Sequence, residues 1–205
     1  MFHATFFWIN LTGFLPLRLV VPLVYQFQGP QMGALVGISM QMAGAAQNVA
    51  TGFSLGAMGR LSVEYGKHQL KEFSALLRRV SLATNAGGAV LLGCAALVIE
   101  FARHASWGTV ATRVPPVAVY APLFLTHLLL IAASCPAVAL RSTGRDTSAP
   151  LVGILGILAI PLYRVAAARP GSCSTPVAML LMAAASLLVF RFHWTRRRQK
   201  LRDGC

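Results

Sequence analysis

The chain has 205 residues, of which 56 % are hydrophobic and only 11 % charged, with a mean hydropathy of +0.65. Soluble domains carry roughly twice that charged fraction, so a water-soluble globular domain is excluded as the working picture. The net charge of +13 would point to nucleic acid in a soluble protein. Here the cations lie between and after apolar runs, so anionic lipid headgroups are the expected partner and nucleic acid is not.

In chain order the apolar runs define six expected membrane spans, and the fold class expected is all-α: a polytopic bundle with both termini cytoplasmic. The first span, Thr5–Tyr25, carries Pro16 and Pro22 with Arg18 between them. Proline removes a helix hydrogen bond. An arginine at this depth either faces a polar lumen or snorkels to the nearer interface, and both readings stand. Trp8 and Tyr25 sit near the span ends, as interfacial anchors do. No cleavable leader is expected, since the first run lacks a basic start and exceeds signal-peptide length.

The second span, Gln31–Gly59, holds no charged residue. Gly29, Gly33 and Gly37 recur at every fourth position, and Gly52 and Gly56 repeat the spacing. Small residues so placed let helix backbones approach closely in a membrane, and these five glycines are the expected helix-packing positions. Gln41, Gln47 and Asn48 fall mid-span, where hydrocarbon does not solvate an amide, so their face is expected to look into protein or water.

Between Arg60 and Arg79, Leu70, Phe73, Leu76, Leu77 and Val80 fall at helical spacing among Lys67, Lys71, Glu72, Arg78 and Arg79. This predicts a short amphipathic helix on the cytoplasmic surface. The third span, Val80–Ile99, has Asn85 in its first third. The fourth, Val117–Leu140, has His127 near its centre, read either as a protonation switch or as a neutral group bonded to a neighbouring helix. The fifth is Ala149–Ala168 and the sixth Pro176–Trp194, followed by a basic tail, 195–205. Placing the connection after the second span (Arg60, Lys67, Lys71, Arg78, Arg79), that after the fourth (Arg141, Arg145) and the tail (Arg191, Arg196, Arg197, Arg198, Lys200, Arg202) inside leaves only Arg103, Arg113, Arg164 and Arg169 outside, as the positive-inside rule requires.

Catalytic signals are weak. Gly52-Phe53-Ser54-Leu55-Gly56 matches G-x-S-x-G, but that elbow needs a strand before it and a helix after it. Glu64, Glu72, Glu100, Asp146 and Asp203 all lie at or beyond span ends, which leaves no intramembrane carboxylate relay. The four cysteines show no C-x-x-C spacing, and no phosphate-binding Gly-Lys loop is present, so neither metal nor cofactor is expected. Passage or scaffolding, rather than chemistry, is the expected role.

Two stretches carry a family resemblance. GPQMGALVGISMQMAGAAQNVATGF followed by RLSVEYGKHQLKEFSALLRRVSLATN, and ALRSTGRDTSAPLVGILG further on, resemble the polysaccharide (O-antigen-type) flippases of the multidrug/oligosaccharidyl-lipid/polysaccharide exporter superfamily. The resemblance implies translocation of a lipid-linked oligosaccharide across the cytoplasmic (inner) membrane through a cationic lumen. The expected lumen residues are Arg18, Gln41, Asn48, Asn85 and His127, and the expected partners are membrane lipids and the lipid-linked sugar. That family has two six-helix lobes and this chain has spans for one, so a second copy or another chain is implied as the other half. The competing expectations are a six-helix solute-binding subunit of a multi-component transporter and an inactive membrane remnant.

Overall fold

The computed structural model describes residues 16–104, 114–144, 149–169 and 174–203. Among them every regular element is helical. Residues 16–28 form α1, followed by α2 (Pro30–Gly56), α3 (Met58–Gly66), α4 (Leu70–His104), α5 (Val117–Ser142), α6 (Ala149–Ala168) and α7 (Ser174–Asp203).

The α1–α2 turn is set by two residues. Gly29 has φ +89, a left-handed conformation that residues with a Cβ rarely adopt, and Pro30 opens α2 where its missing N–H costs nothing. The turn folds α2 back along α1, so that a Cβ on Gly33 would lie 3.0 Å from Tyr25 Cβ and one on Gly37 3.6 Å from Val21 Cγ1. Gln28 Nε2 donates to Ala167 O at 3.1 Å, tying this turn to the end of α6.

α5 is the central rod. Its sequence is apolar on all sides, which suits a helix enclosed by others. It packs against α2, α3, α4 and α7. Val119 and Leu123 join Val20, Val24, Val36, Tyr163 and Met179 in one cluster. Tyr120, Phe124 and Ile131 join Ala43, Ala46, Ala50 and Leu92 in another. At its far end Val138 and Ala139 meet Leu61 of α3, Phe73 of α4 and Trp194 of α7. That last cluster brings three basic segments, distant in sequence, to one end of the bundle.

Gly88 marks the tightest crossing. A Cβ there would come within 2.7 Å of Ile131 Cδ1, 3.1 Å of Ile131 Cγ2 and 3.4 Å of Ala50 Cβ, so α4, α5 and α2 meet where the side chain is missing.

Among the described residues four helices are long and apolar enough to cross a membrane: α4, α5, α6 from Pro150, and α7 to Gln199. The first expected span, Thr5–Tyr25, lies outside the described residues over 5–15 and in α1 over 16–25. The second is a helix of 27 residues with no charge, but its glycines, alanines and amides leave it less apolar than those four. It breaks at Ala57, so the expected span Gln31–Gly59 is Pro30–Gly56 plus the start of α3. The separate amphipathic helix expected before Val80 is instead the first ten residues of α4, a single helix of 35 residues. Nothing between Leu70 and Val80 breaks it: Arg78 and Arg79 are good helix formers, and charge marks a water boundary without ending a helix. For the same reason α7 runs past Trp194 through the basic tail to Asp203.

Candidate functional site

A cavity of about 290 Å³ opens between α5, α6 and α7, bordered on its remaining side by Pro16 and Leu17 of α1 and by Gln47, Thr51 and Leu55 of α2. Most of its wall is Leu, Val, Ala and Met. The polar groups on it are Gln47 and Thr51 from α2, Thr126, Ser134 and Arg141 from α5, Tyr163 from α6 and Ser186 from α7.

The hydroxyls share a feature that fixes their chemistry. Thr51 Oγ1 donates to Gln47 O at 2.9 Å, Thr126 Oγ1 to Pro122 O at 2.8 Å, Ser134 Oγ to Ile131 O at 2.7 Å and Ser186 Oγ to Met182 O at 2.9 Å. Each proton is taken by the preceding helical turn, so each oxygen is left with acceptor capacity for any further partner. Arg141, in the last turn of α5, is the cationic donor on the wall and stands toward the basic end of the bundle. Among the described residues the cavity therefore combines mostly apolar walls, hydroxyls whose protons are already engaged, and the guanidinium of Arg141.

The residues expected to form a lumen are not gathered there. Arg18 of α1 and Gln41 and Asn48 of α2 are exposed on outer helix faces. Asn85 is half-buried on α4, its Nδ2 donating to Ser81 O at 2.8 Å. His127 is buried at 3 % exposure, its Nδ1 donating to Gln47 Oε1 at 2.6 Å, so it touches the cavity only through its partner. With Nδ1 protonated, Nε2 is an acceptor, and it has no partner among the described residues. Of the expected packing glycines, Gly33 and Gly37 meet α1, and Gly29 makes the turn. A Cβ on Gly52 or Gly56 would meet nothing within 4 Å. Of the cavity residues that sequence reasoning missed, Thr51, Ser134 and Ser186 are individually ordinary in apolar helices, and Arg141 reads as a charge at the end of a span. A helical-wheel comparison of α5 and α7 would have placed Ser134 with Arg141, seven residues apart, but not both opposite Ser186.

Ser54 lies inside α2, fully buried, with Oγ donating to Thr51 O at 2.9 Å and 3.4 Å from Ser134 Oγ. No strand precedes it, and it sits on no turn. Among the described residues no group of three His, Cys, Asp or Glu side chains gathers as a metal site would need.

Together these features define, among the described residues, an all-helical bundle with four membrane-crossing candidates, three of which border a mostly apolar cavity carrying a few polar groups. No family model, curated protein or solved structure matches the chain.

Proposed function

We propose that the chain is a six-span, half-size membrane carrier that moves an anionic, sugar-bearing lipid headgroup across the cytoplasmic membrane, its basic end on the cytosolic side. The observation that carries this reading is the cavity. Its acceptor oxygens suit the hydroxyl donors of a sugar, Arg141 suits a phosphate, and its apolar walls suit a site within the lipid bilayer. At about 290 Å³ it sits near the lower edge of small-molecule pockets, room for one headgroup and not for a chain of sugars. The clustering of basic segments at one end supports the orientation, since juxtamembrane cations favour the cytosolic face. The sequence resemblance to polysaccharide flippases supports the substrate class.

The test is a flipping assay in proteoliposomes loaded with a fluorescent diphosphate-linked lipid sugar. Wild-type protein moves the probe between leaflets. Arg141→Ala lowers the rate tenfold or more, Arg141→Lys retains part of it, and both variants insert normally. A wild-type rate equal to that of protein-free vesicles, or an unaltered Arg141→Ala rate, refutes the proposal.

A further inference from the structure

The outward face of α2 is not built like the outward face of a lipid-facing helix. Ala34, Ile38, Gln41, Ala45, Asn48 and Gly52 are all exposed. They follow one another at steps of four and three residues, the spacing that keeps a stripe straight along a helix facing another helix. From Ala34 to Gly52 the stripe is about 27 Å long at 1.5 Å per residue, close to a bilayer core thickness. α2 lies against α4 and α5, two of the membrane-crossing candidates, and its Ala50 meets Gly88 and Ile131 in their interiors. Asn48 therefore sits near mid-depth. An amide left in hydrocarbon with no partner is costly. Phe53 and Val49 widen the face, while open space around Gly52 and Gly56 leaves room for another backbone.

One occupant satisfies all of this. Two copies of the chain share a membrane orientation, so in a two-fold dimer α2 meets α2 in parallel and each residue meets its own counterpart. A charge in that position would repel itself. An amide carries both donor and acceptor and pairs with its own kind. We propose that two copies of this chain associate in the membrane through the outward face of α2, with Gln41 and Asn48 each hydrogen-bonding their counterparts across the two-fold axis. The pairing rests on the membrane-spanning reading of α2 given above, but not on transport.

The test uses the full-length chain in native membranes with its cysteines replaced, carrying single cysteines at Gln41, Ala45, Asn48 or Gly52, or at Leu82 or Leu97 on the outward face of α4. Oxidation with copper phenanthroline gives disulfide-linked dimers at the four α2 positions and none on α4. In the otherwise native chain, Gln41→Leu with Asn48→Leu weakens the dimer about tenfold by energy transfer in nanodiscs, the range expected for interhelical amide bonds. Dimers absent at all four α2 positions, dimers equally strong on α4, an undiminished Gln41→Leu/Asn48→Leu dimer, or an intramolecular cross-link from Asn48→Cys to Asn10→Cys in the first span each overturn the proposal. Rapid labelling of Asn48→Cys by a membrane-impermeant maleimide overturns the spanning reading and the pairing with it. A protected position 48 without cross-links overturns the pairing alone.

Discussion

The outward faces of α6 and α2 are both uncharged along their middles, yet they are made of different residues. α6 exposes Ile154, Ile157, Leu158 and Val165, each 52–55 % accessible. α2 exposes Gln41, Ala45, Asn48 and Gly52 in the corresponding stretch, with Val49 and Phe53 beside them. Branched aliphatics are at home among lipid chains and gain nothing by leaving them. Small residues and amides gain from close approach of another helix and from the hydrogen bonds it supplies. Absence of charge is therefore a weaker sign of lipid contact than the kind of uncharged residue present.

The comparison is broken most severely by placing a charge at the centre of α6. Leu158→Arg costs about 2.5–3.5 kcal/mol of insertion on translocon scales. Glycosylation mapping of the Ala149–Ala168 segment should show insertion falling from near complete to partial. If Leu158→Arg inserts like wild type, the outward face of α6 does not contact lipid. A smaller effect is expected at the inner side of the α2–α4 pair. Gly88→Leu forces a side chain into a site where even a Cβ is 2.7 Å from Ile131 Cδ1. Overpacking of that kind costs about 1–3 kcal/mol, visible as a lower midpoint in thermal aggregation of the detergent-solubilised protein. Gly93→Leu, in open space five residues along the same helix, should leave the midpoint unchanged. The pair separates a glycine required for helix contact from one that is merely present.

Much of the helix layout was legible in the sequence, because hydrophobic runs and their charged ends are local signals. The start of α5 at Val117 and the whole of α6, Ala149–Ala168, fall where expected. The amphipathic helix expected before Val80 is not separate because Arg78 and Arg79 continue a helix, as Arg, Gln, Lys and Leu do beyond Trp194 in α7; a charge marks where a span leaves the membrane, not where its helix stops. The cavity was the least legible part. Arg18, Gln41, Asn48, Asn85 and His127 stand out in an apolar sequence by residue type, but lining a cavity is a matter of direction and register between helices. His127 shows this: its polarity is answered by Gln47, 80 residues away, through a contact no local pattern encodes.

The smallest expected effect lies where both faces end, at the basic end of the bundle. Arg197 Nη2 donates to Tyr65 OH at 2.9 Å, and Phe73 stands 6.0 Å from the Tyr65 ring and 6.1 Å from Trp194 between ring centres. These contacts hold the last turns of α7 against α3 and α4. Tyr65→Phe keeps the ring packing and removes only the hydroxyl, so the loss is that of one partly exposed hydrogen bond, about 0.5–1.5 kcal/mol. Global stability should barely move, because the apolar contacts around Leu61 and Trp194 remain. Local opening is the sensitive readout. Trypsin cleavage at Arg196, Arg197 and Arg198 in the detergent-solubilised protein should accelerate about two- to tenfold, the factor corresponding to that free energy. Trp194→Ala, which removes the packing as well, should accelerate it further. Equal cleavage of wild type and both variants would mean that the tail helix is held by its own propensity alone, and that the basic end, unlike the middle of α2, is organised without contacts between helices.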